Sequence, residues 1–205
     1  SGINHKIVTA VIVIAIPVFC IFGYFVVQPD TGKKILSEYQ YNRIVGFFQD
    51  DNETAKKIRY QQENSLLAIG SGGLTGKGLY NNTVTSVKNG KLLSESHTDF
   101  IFTIVGEELG FVGAAAVILL LFMIVLECFI TGSRAPTFSG KLFCFGFGVL
   151  IAIQSFVNIA VATFLLPNTG VTLPFVSYGL TSLLSMYIGV GIVLNIGLQR
   201  TKARV

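Results

Sequence analysis

Long apolar runs almost free of charge are the feature that most limits what this chain can fold into. There are four such runs: Ile7–Val27, Phe100–Leu126, Leu142–Leu166 and Val176–Leu198. Their only charged residues are two glutamates near the start of the second run. A helix needs about 20 mainly apolar residues to cross the hydrocarbon core of a bilayer. Lipid offers no hydrogen bonds to the backbone, so such spans are helical. The sequence therefore predicts an all-α fold, a polytopic membrane helical bundle with about four transmembrane helices.

The composition supports this class of protein. Hydrophobic residues make up 51% of the chain and charged residues 13%, whereas soluble domains carry roughly 25% charged residues. The net charge of +4 comes from scattered basic residues, which predicts contact with membrane lipids and no nucleic-acid partner. Cys20, Cys128 and Cys144 lie in or beside apolar runs without Cys-x-x-Cys spacing. They are predicted to be small apolar fillers, with no disulfide or metal cluster.

The runs divide the chain into three regions. Residues 1–27 hold the first transmembrane helix, residues 28–98 a large loop with short helices, and residues 99–205 three transmembrane helices and a basic tail. The short helices are predicted at Leu36–Phe48 and Ala55–Ile69, and a connector is predicted at Glu127–Lys141. Basic residues cluster on the side of that connector and of the tail, Gln199–Val205, which places this side in the cytoplasm. The large loop is therefore predicted to be extracytoplasmic. The start, Ser1-Gly2, lacks the features of a secretory signal, and we expect the chain to be a fragment.

A glycine-rich stretch, Gly70–Gly78, precedes the second span and contains Lys77. Its glycine content opposes both helix and strand, so an irregular loop is predicted. Backbone amides freed by glycine, together with one lysine, can bind a phosphate or pyrophosphate. The spacing is one residue short of a P-loop, and a plain surface turn is the alternative interpretation.

Asp99 stands at the entrance to the second span. If the helix begins near Thr98, either residue is a candidate helix cap. The alternative is that Asp99 acts as a general base at the membrane surface. His97 is too close in sequence to face Asp99 on a helix, so no Ser/His/Asp triad is predicted. Glu107 lies about two helical turns after Asp99. It is interpreted as a packing carboxylate, with a paired-carboxylate site together with Asp99 as the alternative.

Two further polar pairs lie in the last two spans. Gln154 and Asn158 are four residues apart and predict hydrogen bonds between helices. Ser177 and Tyr178 follow Pro174 at the head of the last span. They are interpreted either as a helix start or as an outward-facing pair of hydroxyls that binds a ligand.

Several motifs resemble, in order along the chain, those of the SEDS family of shape, elongation, division and sporulation proteins. They are Ala68–Gly78, His97–Phe102, Glu107–Gly110, Leu166–Gly170 and Pro174–Gly179. Asn158 is similar to an asparagine in the family's penultimate span. Family members have more spans than this chain, so the resemblance implies their C-terminal half. Leu180 departs from the glycine of many members, which leaves the subfamily open.

The resemblance implies a peptidoglycan glycosyltransferase that polymerises lipid II at the outer face of the bacterial cytoplasmic membrane. Asp99 occupies the position of the family's essential aspartate and is implied to be the catalytic base. Lys77 and Arg59 are implied to stabilise the leaving pyrophosphate, with a divalent metal ion, Mg²⁺ or Mn²⁺, as an optional helper. The other residues implied to bind substrate are Ser71, Gly72, Gly73, His97, Ser177 and Tyr178.

The implied partner is a class B penicillin-binding protein, which is a transpeptidase. Two alternatives use the same membrane setting. One is a lipid II flippase, which needs no base. The other is a non-catalytic membrane scaffold for the transpeptidase, in which helix faces with small residues such as Gly146 and Gly148 make the contacts.

Overall fold

The computed structural model describes Pro17 and residues 37–48, 53–79 and 98–202. The described residues form five α-helices and no strand: α1 Glu38–Phe48, α2 Glu53–Ser71, α3 Ile101–Arg134, α4 Phe138–Ala162 and α5 Leu180–Lys202. The all-α fold of a polytopic helical membrane protein is confirmed. The first predicted span lies outside the described residues apart from Pro17. The chain divides into two compact units, residues 1–59 and 60–205.

In the first unit, α1 packs against the first turns of α2. The buried side chains include Tyr41, Val45, Ala55 and Ile58. Gly46 allows a close approach, because a Cβ at this position would lie 2.8 Å from the carbonyl oxygen of Ala55. The two short helices predicted in the large loop are therefore present, and the second of them continues into the second unit.

In the second unit, three helices are long and apolar enough to cross a membrane: α3, α4 and residues 180–199 of α5. Only 17%, 33% and 17% of their most apolar stretches are buried within the structure. Most of the apolar surface is thus available to lipid or to further helices, which agrees with a multi-pass membrane protein.

The predicted connector Glu127–Lys141 is wrong in extent. Helix α3 continues to Arg134 and α4 begins at Phe138. Thr137 caps α4, since its side chain accepts a hydrogen bond of 3.2 Å from the amide of Gly140. The sequence prediction stopped the helix at the first charged residue. This was too early, because a long charged side chain can extend from a helix to the membrane interface while the helix continues.

The last helix also differs from its prediction. It begins at Leu180, not at Val176, and it runs to Lys202, inside the predicted tail. Residues 174–177 instead form a turn in which Phe175 has a positive φ of 63°. A bulky residue in this conformation interrupts regular structure.

Helices α3 and α4 are held close by small residues spaced four apart on each helix. A Cβ on Gly148 would lie 3.1 Å from the Cβ of Cys128, and a Cβ on Gly132 would lie 3.0 Å from the Cβ of Cys144. Both cysteines are free and buried in one apolar cluster. Close backbone approach over small residues is the usual way in which membrane helices associate. The prediction of filler cysteines is confirmed for these two, and Cys20 lies outside the described residues.

Helix α2 docks against the end of α4 through two fully buried polar side chains. The amide of Gln62 donates to the carbonyl oxygens of Val161 at 3.1 Å and Leu166 at 2.9 Å. The hydroxyl of Ser65 donates to the carbonyl of Ala162 at 2.8 Å and also contacts the Thr103 hydroxyl. Val161 and Ala162 end α4, and carbonyl groups at a helix C-terminus lack helical partners, so two of these bonds help to satisfy them. They also fix α2 beside the start of α3.

Candidate active site

Asp99 lies in a turn, residues 98–100, directly before α3. The N-cap position is Phe100, which makes no side-chain cap bond. The helix therefore begins later than predicted, and neither Thr98 nor Asp99 occupies the cap position. Phe100 is buried in a cluster with Ala68 and Val161, whereas Asp99 is partly exposed. The turn is thus anchored by one side chain and presents a carboxyl group beside it.

Two buried side chains bond consecutive carbonyl oxygens of this turn. The hydroxyl of Ser177 donates to the carbonyl of Thr98 at 2.7 Å, and the amide of Asn158 donates to the carbonyl of Asp99 at 2.9 Å. Ser177 and Asn158 are each 1% exposed. The prediction that Gln154 and Asn158 make hydrogen bonds between helices is therefore wrong in its partners. Asn158 bonds carbonyl groups of two non-helical segments, at Asp99 and Val171, and the side-chain oxygen of Gln154 has no partner among the described residues.

The Ser177 side chain faces the protein interior, whereas one sequence interpretation has it facing outward with Tyr178. Its oxygen also accepts a hydrogen bond of 2.7 Å from the amide of Leu173. Tyr178 is 83% exposed. The outward-facing pair is therefore correct for Tyr178 and wrong for Ser177, because two backbone groups inside the protein bond the Ser177 hydroxyl.

The glycine loop, residues 72–78, docks onto a break in α3. At Gly110 the backbone leaves the helical region, with φ 66° and ψ −164°. Such a break leaves carbonyl groups before it and amide groups after it without helical partners. The glycine loop supplies four hydrogen bonds across the break: Lys77 N to Glu107 O at 3.0 Å, Gly78 N to Glu108 O at 3.0 Å, Phe111 N to Gly73 O at 2.9 Å and Val112 N to Leu74 O at 3.2 Å. The loop therefore completes the hydrogen bonding of a membrane helix.

The close docking explains why glycine occupies particular positions in the loop. A Cβ at Gly72 would overlap the carbonyl oxygen of Gly106, and a Cβ at Gly76 would overlap that of Glu108. Gly76 also has a positive φ of 78°, which side chains other than glycine rarely adopt. These glycines are required by packing and by backbone geometry.

The hydrogen bonds made by the loop amides correct the prediction that free amides of this loop form a phosphate-binding site. The amide of Gly76 donates to the carbonyl of Gly72 at 2.9 Å, that of Gly72 to Ile69 at 3.2 Å, and that of Gly73 to Gly70 at 3.4 Å. The hydroxyl of Ser71 donates to the carbonyl of Ala68 at 2.7 Å. These groups are already bonded within the protein, since the loop uses its backbone to hold itself and α3.

Lys77 and Glu107 form an ion pair beneath this loop. Their charged atoms are 2.8 Å apart, and the side chains are 24% and 2% exposed respectively. A buried carboxylate is costly unless it is paired, so Lys77 compensates the charge of Glu107. The interpretation of Glu107 as a packing carboxylate is confirmed. A role for Lys77 toward pyrophosphate stays a prediction.

The other predicted site residues lie in different places. Arg59 belongs to α2 in the first unit and is partly exposed. His97 lies outside the described residues. Among the residues that the structure describes, no three His, Cys, Asp or Glu side chains group closely enough to hold a metal ion. A Mg²⁺ ion that used one carboxylate here would need substrate phosphate oxygens and water as its other ligands.

A bundle of spanning helices with a partly exposed carboxylate before one span defines a multi-pass membrane protein with a candidate site at one end of the bundle. Comparison with known families gives the finer assignment. The chain belongs to the FtsW, RodA and SpoVE family, described as cell cycle proteins, whose family model matches residues 1–202. The resemblance to the SEDS family is confirmed, and the protein is a multi-pass protein of the bacterial cytoplasmic membrane.

Curated relatives include the probable peptidoglycan glycosyltransferase FtsW of two bacteria. The protein from Idiomarina loihiensis is 39% identical over 170 residues, which cover 81% of this chain and 40% of the relative. That from Geobacter sulfurreducens is 35% identical over 199 residues, which cover 96% of this chain and 48% of the relative. The chain thus spans less than half the length of these relatives.

A solved structure of a peptidoglycan synthase complex contains a similar chain. The work on that complex concerns the structural coordination of polymerization and crosslinking. The match has a TM-score of 0.63 and 25% sequence identity, and it covers 96% of this chain and 50% of the other. The helical arrangement described above is therefore shared with that chain.

Proposed function

We propose that this chain is the part of a peptidoglycan glycosyltransferase that carries the catalytic base, and that the whole protein polymerises lipid II at the outer face of the membrane. The observation that carries the proposal is the partly exposed Asp99, presented by an anchored turn at the start of α3. Family membership over residues 1–202 supports it, as do the names of the relatives.

In the proposed reaction, Asp99 accepts the proton of the 4-hydroxyl of the acceptor sugar. The hydroxyl oxygen then forms a bond to the anomeric carbon of the donor, while the bond from that carbon to the lipid pyrophosphate breaks. Lipid pyrophosphate leaves, and the proton passes from Asp99 to solvent. General-base catalysis of this kind contributes about 10²–10⁴-fold. Pyrophosphate leaves without strong acid assistance, so one carboxylate is sufficient.

The leaving pyrophosphate carries negative charge, and Lys77 and Arg59 are the proposed cations for it. Lys77 is a quarter exposed while it pairs with Glu107, and its ammonium carries three N–H donors. Because the amides of Gly72, Gly73, Gly76, Lys77 and Gly78 are bonded within the protein, side chains carry this part of the proposal. Mg²⁺ or Mn²⁺ is proposed as a helper bound mainly by substrate phosphates, and chelation by EDTA should then slow polymerisation.

The proposed partner is a class B penicillin-binding protein. The similar chain in the peptidoglycan synthase complex supports this proposal. Gly148 is covered by Cys128, whereas Gly146 has open space around it. Of these two glycines, only the face around Gly146 offers room for a partner helix.

The decisive variant is Asp99→Asn in the whole protein, reconstituted in vesicles with lipid II. We expect the rate of glycan polymerisation, followed on gels, to fall by about 10²–10⁴-fold, which is the contribution of a general base. The matched control is Glu53→Gln, which removes an exposed carboxylate paired at 3.7 Å with Lys56 and should leave the rate unchanged. Polymer at the normal rate in Asp99→Asn would contradict the proposal. Lipid II translocation without polymer in the unaltered protein would favour the flippase.

A further inference from the structure

The backbone turn that carries Asp99 is held from below by two buried side chains. Ser177 bonds the carbonyl of Thr98, and Asn158 bonds the carbonyl of Asp99. The two holding residues are separated from the turn by 79 and 59 positions in sequence. These contacts therefore join separate parts of the bundle.

Each holding side chain makes a second bond to one short segment, residues 171–173. The second hydrogen of the Asn158 amide goes to the carbonyl of Val171 at 2.7 Å, and the amide of Leu173 donates to the Ser177 hydroxyl at 2.7 Å. Leu173 is 1% exposed and belongs to the core. The Asp99 turn is thus connected through two parallel bridges to a segment that Leu173 anchors in the core.

The orientation of the Asn158 amide is fixed by its acceptors. Both acceptors are carbonyl oxygens, which can only receive hydrogen bonds, so the nitrogen and not the oxygen must face them. The Asn158 oxygen has no hydrogen-bond partner among the described residues. Within the described part of the chain, the Asn158 nitrogen thus bonds two carbonyl groups while its buried oxygen makes no bond, an exception to the usual pairing of buried polar atoms.

The turn that presents Ser177 is strained. Phe175 has a φ of 63°, and a bulky residue persists there only where the surrounding structure fixes it. The Phe175 ring packs against Tyr187 with ring centres 5.9 Å apart. The amide of Ser177 also donates to the carbonyl of Leu173 at 3.0 Å. The hydroxyl is thereby aimed at Thr98.

From this geometry we propose that Asn158 and Ser177 are positioning residues, which set the place of the Asp99 carboxyl group against the acceptor hydroxyl. The inference rests on the proposed function of Asp99. A general base must lie within hydrogen-bond reach of the proton that it takes, and a displacement of about 1 Å can cost about 10²-fold in rate. Neither residue needs to touch substrate for this role.

The test uses Asn158→Ala and Ser177→Ala in the whole protein with lipid II. We expect each to lower kcat, per folded molecule and well below the melting temperature, by about 10-fold or more. KM for lipid II should stay within about 2-fold of the unaltered value, since substrate binding does not use these side chains. Because both residues act on one turn, the double variant should lose less than the product of the single losses.

Matched controls come from α5. Asn195→Ala removes an asparagine that accepts an exposed hydrogen bond of 3.1 Å from Gln199. Ser185→Ala removes an exposed hydroxyl that bonds the carbonyl of Thr181. Both should keep kcat and KM.

Failure of this inference can be told from failure of the proposed function. Asp99→Asn is measured beside the other variants. If Asp99→Asn is inactive while both alanine variants keep kcat per folded molecule, the positioning role is overturned and the base stands. The positioning role is also overturned if activity falls only in step with the folded fraction, or if the two losses multiply. If Asp99→Asn polymerises normally, the proposed base itself is wrong.

Discussion

At the scale of single residues, the Lys77–Glu107 pair combines a structural duty with a proposed chemical one. Glu107 is almost fully buried, and Lys77 lies at its side with part of its length exposed. Removing one partner of a buried pair is costly because the other charge is left uncompensated, whereas removing both is often nearly neutral. This difference allows the structural role of Lys77, which compensates the charge of Glu107, to be separated from its proposed role toward pyrophosphate.

We expect Lys77→Met to lower the free energy of unfolding by about 3 kcal/mol, the lower end for a buried pair because Lys77 is partly exposed. The double variant Lys77→Met with Glu107→Gln should recover most of that loss. Denaturant or thermal unfolding in detergent measures both. A double variant that is no more stable than the single one would show that the pair is not what holds Glu107. Recovered stability with a low polymerisation rate would support the role of Lys77 toward pyrophosphate.

At the scale of elements, the glycine loop binds both sides of the break in helix α3. Its carbonyl and amide groups replace those that the helix loses at Gly110. A Cβ on Gly72 or Gly76 would overlap the backbone of α3, whereas a Cβ on Gly70, at the end of α2, would meet no other atom within 4 Å. Neighbouring glycines in one motif therefore have different tolerances.

We expect Gly72→Ala to destabilise the protein, because its Cβ would overlap the Gly106 carbonyl. Overpacking of this kind costs about 1–3 kcal/mol. The matched control is Gly70→Ala, which meets open space on a helix and should be neutral or slightly stabilising. Melting temperatures of the two variants in one detergent provide the comparison. Equal melting temperatures would mean that the loop does not sit on α3 as described.

Sequence patterns predicted the membrane-spanning helices and singled out Asp99, but they did not predict the contacts between distant segments. Charge-free runs were sufficient for α3, α4 and α5, because lipid leaves few alternatives to helix. Helix ends were missed at Arg134 and Leu180, where snorkelling side chains and a strained turn decide the boundary. The inward direction of Ser177 and the use of the loop amides depend on residues distant in sequence. Local spacing carries no signal for such contacts.

At the scale of the whole molecule, the chain matches less than half the length of its curated relatives. Large apolar side chains along α3, α4 and α5 remain exposed, among them Phe111, Phe156 and Ile188. Apolar surface of this extent is suited to lipid or to further helices. The proposed reaction also needs a lipid-linked donor sugar and a lipid-linked acceptor sugar to be held together beside the Asp99 carboxyl group.

We therefore expect the 205 residues by themselves to lack polymerase activity. The measurement is lipid II polymerisation in vesicles that contain only this chain, with the whole protein as the positive control. Polymer formed by this chain alone would contradict the expectation. It would also show that these 205 residues contain every group that the reaction requires.

The most direct test of Asp99 as the base is chemical rescue in the whole protein. Asp99→Gly removes the carboxyl group and leaves space for a small carboxylate from solution, such as formate. We expect the variant to bind lipid II, to polymerise about 10²–10⁴-fold more slowly, and to recover rate as formate, but not chloride, is added. A folded variant that polymerises at the normal rate, or that binds lipid II and stays inactive at every formate concentration, would contradict the assignment.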